Sequence, residues 1–221
     1  MPSDPHVAVL VTGPFQENTY LVADGATRKA ILVDPGYNWD ELIDYVKQSG
    51  FTVDKIVNTH AHLDHAGAVA PICRAFGCPF YLHEGEMGNL LNMPRAGMMF
   101  GMPGLEVPEV HHKLHDGMEI PIGELTLKVL ETPGHTAGGC SLLVEERHLF
   151  VGDTVFRGSV GRTDLPGGNY DTLVRSIQTK ILPLSDDTIL YPGHGPHTPL
   201  GYERKHNPFL VNPDMFRDQM V

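Results

Sequence analysis

The chain has 221 residues, 41% of them apolar, and carries 16 Lys and Arg against 27 Asp and Glu for a formal net charge of −11. That length and apolar content suit one large domain spanning 1–221 with a sizeable core. The acidic balance, with no local basic run, argues against nucleic acid as a partner, and the absence of a membrane-length apolar window or a basic, apolar N-terminal leader makes a soluble, cytoplasmic protein the expectation.

The chain opens with short runs of β-formers at 7–11, 18–23 and 29–33, separated by Gly-Pro, Asp-Gly and Asp-Pro-Gly breaks. Trp39, Leu42, Ile43 and Val46 then recur at helical spacing over 38–48, and Gly50 stops the helix. A buried strand at 54–58 runs directly into the polar run 59–65. A helix follows at 66–76, interrupted in its first turn by Pro71, and then a short strand at 79–82. From Met118 the β pattern resumes: 125–131, 140–144 and 148–151 read as strands, 170–181 as a helix, and 188–191 as a strand. Strand runs interleaved with helices, twice over, predict two sheets with helices packed outside, an α/β protein of αββα sandwich form.

Between these halves, 85–108 holds five of the nine methionines (Met87, Met93, Met98, Met99 and Met102) among glycines and prolines. It reads as an irregular connection packed on the body, with an adaptable lid over a pocket as the alternative, since thioethers repack easily. Cys73, Cys78 and Cys140 are odd in number and lack zinc-finger spacing, so they read as reduced, small buried residues.

The strongest chemical signal is His60-x-His62-x-Asp64-His65. In a strand-to-helix loop, alternation turns His60 and His62 one way while Asp64 and His65 open the helix on another side. One short segment can thus feed two adjacent ions, and imidazole with carboxylate suits zinc, manganese or iron. Three later residues could complete the set. His135 lies in Pro133-Gly134-His135, Asp153 in Gly152-Asp153-Thr154 and His194 in Pro192-Gly193-His194. Each follows a predicted strand in a Gly-rich turn that lets backbone approach an ion closely.

These stretches resemble the metallo-β-lactamase superfamily and, within it, the glyoxalase II branch, on 59–65, 132–135, 152–156 and 192–194. The resemblance implies two divalent metal ions per chain, zinc foremost. His60, His62 and His135 would hold one, Asp64, His65 and His194 the other, and Asp153 would bridge them. It also implies that Arg162, in Gly161-Arg162-Thr163-Asp164, meets the glutathione part of a substrate. A guanidinium suits carboxylate capture, although pairing with Asp164 explains the same residue equally well. The segment 201–209 also resembles glyoxalase II-like proteins. The short stretch after His194 leaves no room for the helical domain of the longer enzymes, so the chain resembles the short bacterial type.

Paired ions acidify a bridging water and polarise a carbonyl, so metal-activated hydroxide is the expected nucleophile, with Asp64 as a secondary proton acceptor. The sequence has no Gly-x-Ser-x-Gly elbow to compete with it. The expected activity is hydrolysis of a small thioester of the S-lactoylglutathione type. The competing reading is a persulfide dioxygenase, whose single iron would by resemblance sit on His60, His135 and Asp153. Lactonase action is a further option. β-Lactam hydrolysis is disfavoured, because by resemblance β-lactamases of this fold usually lack the bridging Asp153. A closed structural metal site is disfavoured because such sites are often cysteine-rich.

Overall fold

The computed structural model describes residues 4–219. Its first sheet contains β1 (His6–Thr12), β2 (Glu17–Ala23), β3 (Lys29–Val33), β4 (Thr52–Val57), β5 (Phe80–His83) and β6 (His112–Leu114), paired in that order. The β1–β2–β3 pairs are antiparallel and the β3–β4–β5–β6 pairs parallel. The second half supplies β7 (Glu119–Ile122), β8 (Leu125–Glu131), β9 (Cys140–Val144) and β10 (His148–Gly152). A small ribbon, β11 (Val155–Phe156) with β12 (Ser159–Val160), precedes β13 (Ile189–Pro192) and β14 (Thr198–Pro199). The second sheet runs β14-β13-β10-β9-β8-β7, with β10 and β13 parallel and its other neighbours antiparallel.

Alternation along the strands explains the layers. In β2 and β3, Leu21, Ala23, Ala30 and Leu32 pack under α1 (Trp39–Ser49), while Tyr20, Val22, Ile31 and Val33 meet Leu127, Leu142 and Phe150 of the second sheet. Leu143, Leu149 and Leu190 turn the opposite way, toward Leu173 and Ile177 of a helix outside the second sheet. Both faces of the inner strands are therefore covered, and the αββα sandwich expected from the sequence is the fold. In α1, Leu42 and Val46 are buried, acidic side chains occupy the first turn, and Gly50 closes the helix at φ 70°. Among the described residues, no helix is long and apolar enough to cross a membrane.

Two expectations need correction. The helix expected at 66–76 is two helices, α2 (Leu63–Ala66) and α3 (Val69–Phe76), broken at Gly67. A side chain at Gly67 would meet the carbonyls of Gly36 and Leu63, whereas Pro71 lies in the first turn of α3, where its missing N–H costs little. The segment 85–108 is not irregular throughout. A single 3₁₀ turn at Glu84–Glu86 leads into α4 (Met87–Met99), whose buried Leu90, Met93 and Gly97 form one stripe. Its glycines, asparagines and Pro94 hide that period in the sequence. The later helices are α5 (Tyr170–Ser176), continued by a π-turn through Ile181, α6 (Leu200–His206) and α7 (Pro208–Val211).

Strands β4, β8, β10 and β13 end on one rim, joined across the sheets by Cys140 N–H donating to the Thr59 carbonyl at 2.8 Å and Asn18 N–H to Gly193 at 2.7 Å. The inter-sheet layer holds that rim together. Phe150→Ala, which empties a fully buried site within it, is expected to cost about 3–5 kcal/mol, whereas Val9→Ala on an edge-strand position 54% exposed should stay within about 0.5 kcal/mol. Urea unfolding with an unchanged m-value checks both.

Candidate metal centre

All seven His and Asp residues expected at the site converge on that rim. The loop after β4 carries His60 and His62, and α2 presents Asp64 and His65. The turns after β8, β10 and β13 bring His135, Asp153 and His194. Ligand-type atoms of His60, His62 and His135 lie within 4.8 Å of one another, as do those of Asp64, His65 and His194. Asp153 lies against both groups: its Oδ1 is 3.4 Å from His65 Nε2, and its Oδ2 is 3.6 Å from His135 Nε2 and 3.7 Å from His194 Nε2. His194 Nε2 is also 3.3 Å from Asp64 Oδ2. Close approach is obligatory at Gly193, where a Cβ would strike both Asp153 Oδ1 and His65 Cε1. Gly152 adds a positive φ of 50° directly before Asp153.

The polar accounting points to a missing partner. His60 Nε2, His65 Nε2 and Asp153 Oδ1 are buried without a hydrogen bond, an arrangement that costs stability unless something else binds these atoms. Their opposite ring nitrogens are engaged: His60 Nδ1 lies 3.0 Å from Thr59 Oγ1, His65 Nδ1 3.1 Å from Asp34 Oδ2, and His135 Nδ1 2.7 Å from the Arg162 carbonyl. Imidazoles oriented through one nitrogen, with the other aimed into a shared cluster, are what divalent metal ions require of histidine. The residues fit such ions.

Two buried carboxylates that hold this arrangement have no local motif. Asp34 accepts the Thr59 N–H at 2.7 Å and the Thr59 hydroxyl at 2.5 Å besides facing His65, and sits at a positive φ of 50°. Glu86, fully buried, accepts the N–H groups of Ala61 and Gly138, each at 2.9 Å, and the Asn89 amide at 3.0 Å. It thereby ties the His60–His62 loop to the His135 turn and to α4. Neither residue stands out in the sequence, because most of their partners lie 25 or more residues away along the chain.

Burial first, and then the neighbouring imidazoles, push His60 well below its ordinary value and His62 down to about 4. For His65, burial opposes the charged form, but Asp153 and Asp64 outweigh it and raise the ring well above its ordinary value. Burial likewise works to raise the Asp153 carboxyl, yet His65, His135 and His194 hold it far down and ionised.

Five of the seven, His62, Asp64, His135, Asp153 and His194, line a cleft of about 510 Å³, with His60 and His65 buried behind them. One wall comes from α4 and Phe15, the other from Phe156, Arg162 and Leu165. Arg162 does reach the cleft, but Asp164 grips its guanidinium at 2.8 and 2.7 Å. The pairing alternative is therefore realised, in an exposed ion pair that contributes little to stability and can be exchanged.

Two mixed sheets between helices, with a His/Asp cluster where strands from both sheets end, define a metal-binding αββα sandwich. The chain belongs to the metallo-beta-lactamase superfamily, whose family profile matches residues 12–194. It is 39% identical over 202 residues to the probable metallo-hydrolase YqgX of Bacillus subtilis, covering 90% of this chain and 94% of that one. It is 33% identical over 209 residues to the hydroxyacylglutathione hydrolase GloC of Haemophilus influenzae, covering 93% and 98%. Among solved structures, the BLEG-1 B3 metallo-beta-lactamase matches with a TM-score of 0.87 at 38% identity over 94% of this chain and 100% of that one. TTHA1623 in a di-iron-bound form matches at 0.83 and 38% over 92% and 100%. ETHE1 from Myxococcus xanthus matches at 0.79 and 27% over 97% and 89%.

Two outcomes follow from this geometry. Glu86→Gln turns an amide N–H₂ toward a backbone N–H in either orientation, so it should lower stability by about 1–3 kcal/mol and metal retention by about ten- to a hundredfold. Thermal unfolding and elemental analysis after dialysis measure the two losses. In the metal-free chain, His60 and His62 resist protonation when folded, so the unfolded chain binds more protons between their ordinary value of 6.5 and about 4. The opposite contributions of His65 and His194 are already complete below pH 6.5, and Glu17, raised by burial, opposes the fall as one group against two. The melting temperature of metal-stripped protein should therefore fall on acidification through that window.

Proposed function

We propose that this chain is a dinuclear metal-dependent hydrolase of small thioesters. The observation that carries the reading is the Asp153 carboxylate lying against two three-residue His/Asp groups at the base of one cleft. His60, His62 and His135 are assigned to one ion, Asp64, His65 and His194 to the other, and Asp153 to both, with zinc, iron or manganese as candidates. Ions held there supply an acidified water and a Lewis acid for the carbonyl. In the reaction, water oxygen bonds to the acyl carbon, the C–S bond breaks, and the sulfur leaves as a thiol with one of the water's protons.

The chain's own residues supply the rest. Asp64 and Asp153 are held as carboxylates by the surrounding imidazoles, and Asp64 lines the cleft where it can accept the water's proton. Arg162 can exchange Asp164 for a carboxylate on the thiol arm. The similarity to GloC supports S-lactoylglutathione as the first thioester to try. The net charge of −11 supports a small-molecule substrate over nucleic acid.

A second reading, a persulfide dioxygenase with one iron on His60, His135 and Asp153, draws on the similarity to ETHE1. It leaves the equally assembled Asp64, His65 and His194 without a role.

Elemental analysis of protein purified without added metal is expected to give about two ions per chain, and thiol release from S-lactoylglutathione should follow metal content. His135→Ala should remain folded by circular dichroism yet lose more than about a hundredfold in kcat/KM. A single iron per chain with oxygen uptake on a persulfide would overturn the hydrolase in favour of the dioxygenase. β-Lactam turnover exceeding thioester turnover would overturn the choice of substrate.

A further inference from the structure

The two walls of the cleft differ in chemistry. Among the described residues that line it, Arg162 is the one Lys or Arg, and it stands on the second-half wall. The opposite wall presents Met93, Ala96 and Phe100 of the α4 region together with Phe15 from the β1–β2 turn. Of the two polar α4 residues lining the cleft, Asn89 is committed to Glu86 at 3.0 Å and Asn92 is exposed; both are uncharged. Phe15 and Phe100 come from segments far apart in the chain and meet edge to face, with ring centroids 5.6 Å apart and planes at 77°. They nevertheless remain 40% and 60% exposed. Two aromatic rings brought together at a cleft mouth and left wet offer apolar area that an apolar ligand arm would remove from water.

We infer that this wall selects the acyl arm of the substrate, favouring an uncharged aliphatic chain or ring larger than lactoyl. The inference rests on the thioester reading above and deepens it. A thiol arm bearing carboxylates has its matching charge at Arg162, across the cleft. This wall offers a charged arm no cation, and Ala96 with the exposed rings of Phe100 and Phe15, backed by buried Met93, offers an alkyl chain apolar contact. The floor performs the same C–S cleavage on every member of such a series, so length dependence isolates the wall. Each methylene buried there is expected to raise kcat/KM roughly three- to fourfold, the value of a CH₂ removed from water.

The test is kcat/KM of the metal-loaded protein on glutathione thioesters of lactate, 2-hydroxybutanoate and 2-hydroxyhexanoate, in which thiol and reacting carbonyl stay constant. The wild type should rise along the series. Phe100→Ala, at an exposed position whose loss the fold tolerates, should flatten the rise. Ala96→Leu, which fills the wall, should turn it into a fall, and melting temperatures identify any variant that fails to fold. A flat or falling series in the wild type, with S-lactoylglutathione hydrolysed, would overturn the acyl selectivity and leave the thioesterase intact. Release of thiol from none of the three would overturn the thioesterase reading and the selectivity with it.

Discussion

Burying imidazoles beside an ionised carboxylate carries a desolvation cost that the surrounding residues must offset. His60 and His65 are at most 2% exposed, and each directs an unpartnered Nε2 toward the cluster that Asp153 joins. Such atoms are costly inside a protein, and Glu17 Oε1, Asn58 Oδ1 and Thr136 Oγ1 close by are also buried without a partner, so the hydrogen bonds that are made must hold the cluster in place. Asp34 takes Thr59 and His65, Thr59 reaches His60, the Arg162 carbonyl takes His135, and Glu86 takes the loop and turn on either side. Each of these bonds fixes a ring or a peptide that would otherwise relax away from the centre.

The same constraint accounts for the architecture of the rim. A cluster drawing on four strand ends needs two sheets that do not slide, and the layer of Tyr20, Ile31, Val57, Leu127, Leu142 and Phe150 provides this. Interiors packed to crystal-like density transmit small displacements, so the position of His60 relative to His135 is set by side chains that touch neither. Direct bonds across the rim, Cys140 to Thr59 and Asn18 to Gly193, complete the register between halves. Glycine appears where the backbone must pass closest: Gly193 lies against Asp153 and His65, and no side chain fits there.

The seven His and Asp positions were legible in the sequence for a local reason. Ligand chemistry demands specific residue types at the ends of strands, and strand ends are marked by apolar runs and glycines within a few residues. The sandwich was legible for a similar reason, since strands covered on both faces read as continuous apolar runs. Glu86 and Asp34 were not. A carboxylate that caps backbone N–H groups 25 and 52 residues away, as Glu86 does, leaves no pattern in its own neighbourhood. Helix α4 stayed hidden because its buried stripe of Leu90, Met93 and Gly97 is spaced by glycine, asparagine and proline, which tertiary packing overrides. Arg162 was legible as a cation near the site, but its commitment to Asp164 depends on the turn that brings the two side chains together.

The division between floor and walls follows from these facts. Floor residues are constrained on every side by the cluster, by its supporting carboxylates and by the glycines beneath, so almost any substitution there disturbs the cluster. The walls carry no such burden. Phe15 sits on a hairpin turn, Phe100 ends a helix, and the Arg162 side chain is exposed, with only its backbone carbonyl engaged by His135. One fold can therefore keep a single His/Asp cluster while the walls around it change. In a family whose solved members here include a β-lactamase, a di-iron protein and ETHE1, the floor defines what chemistry is possible and the walls determine where it is applied.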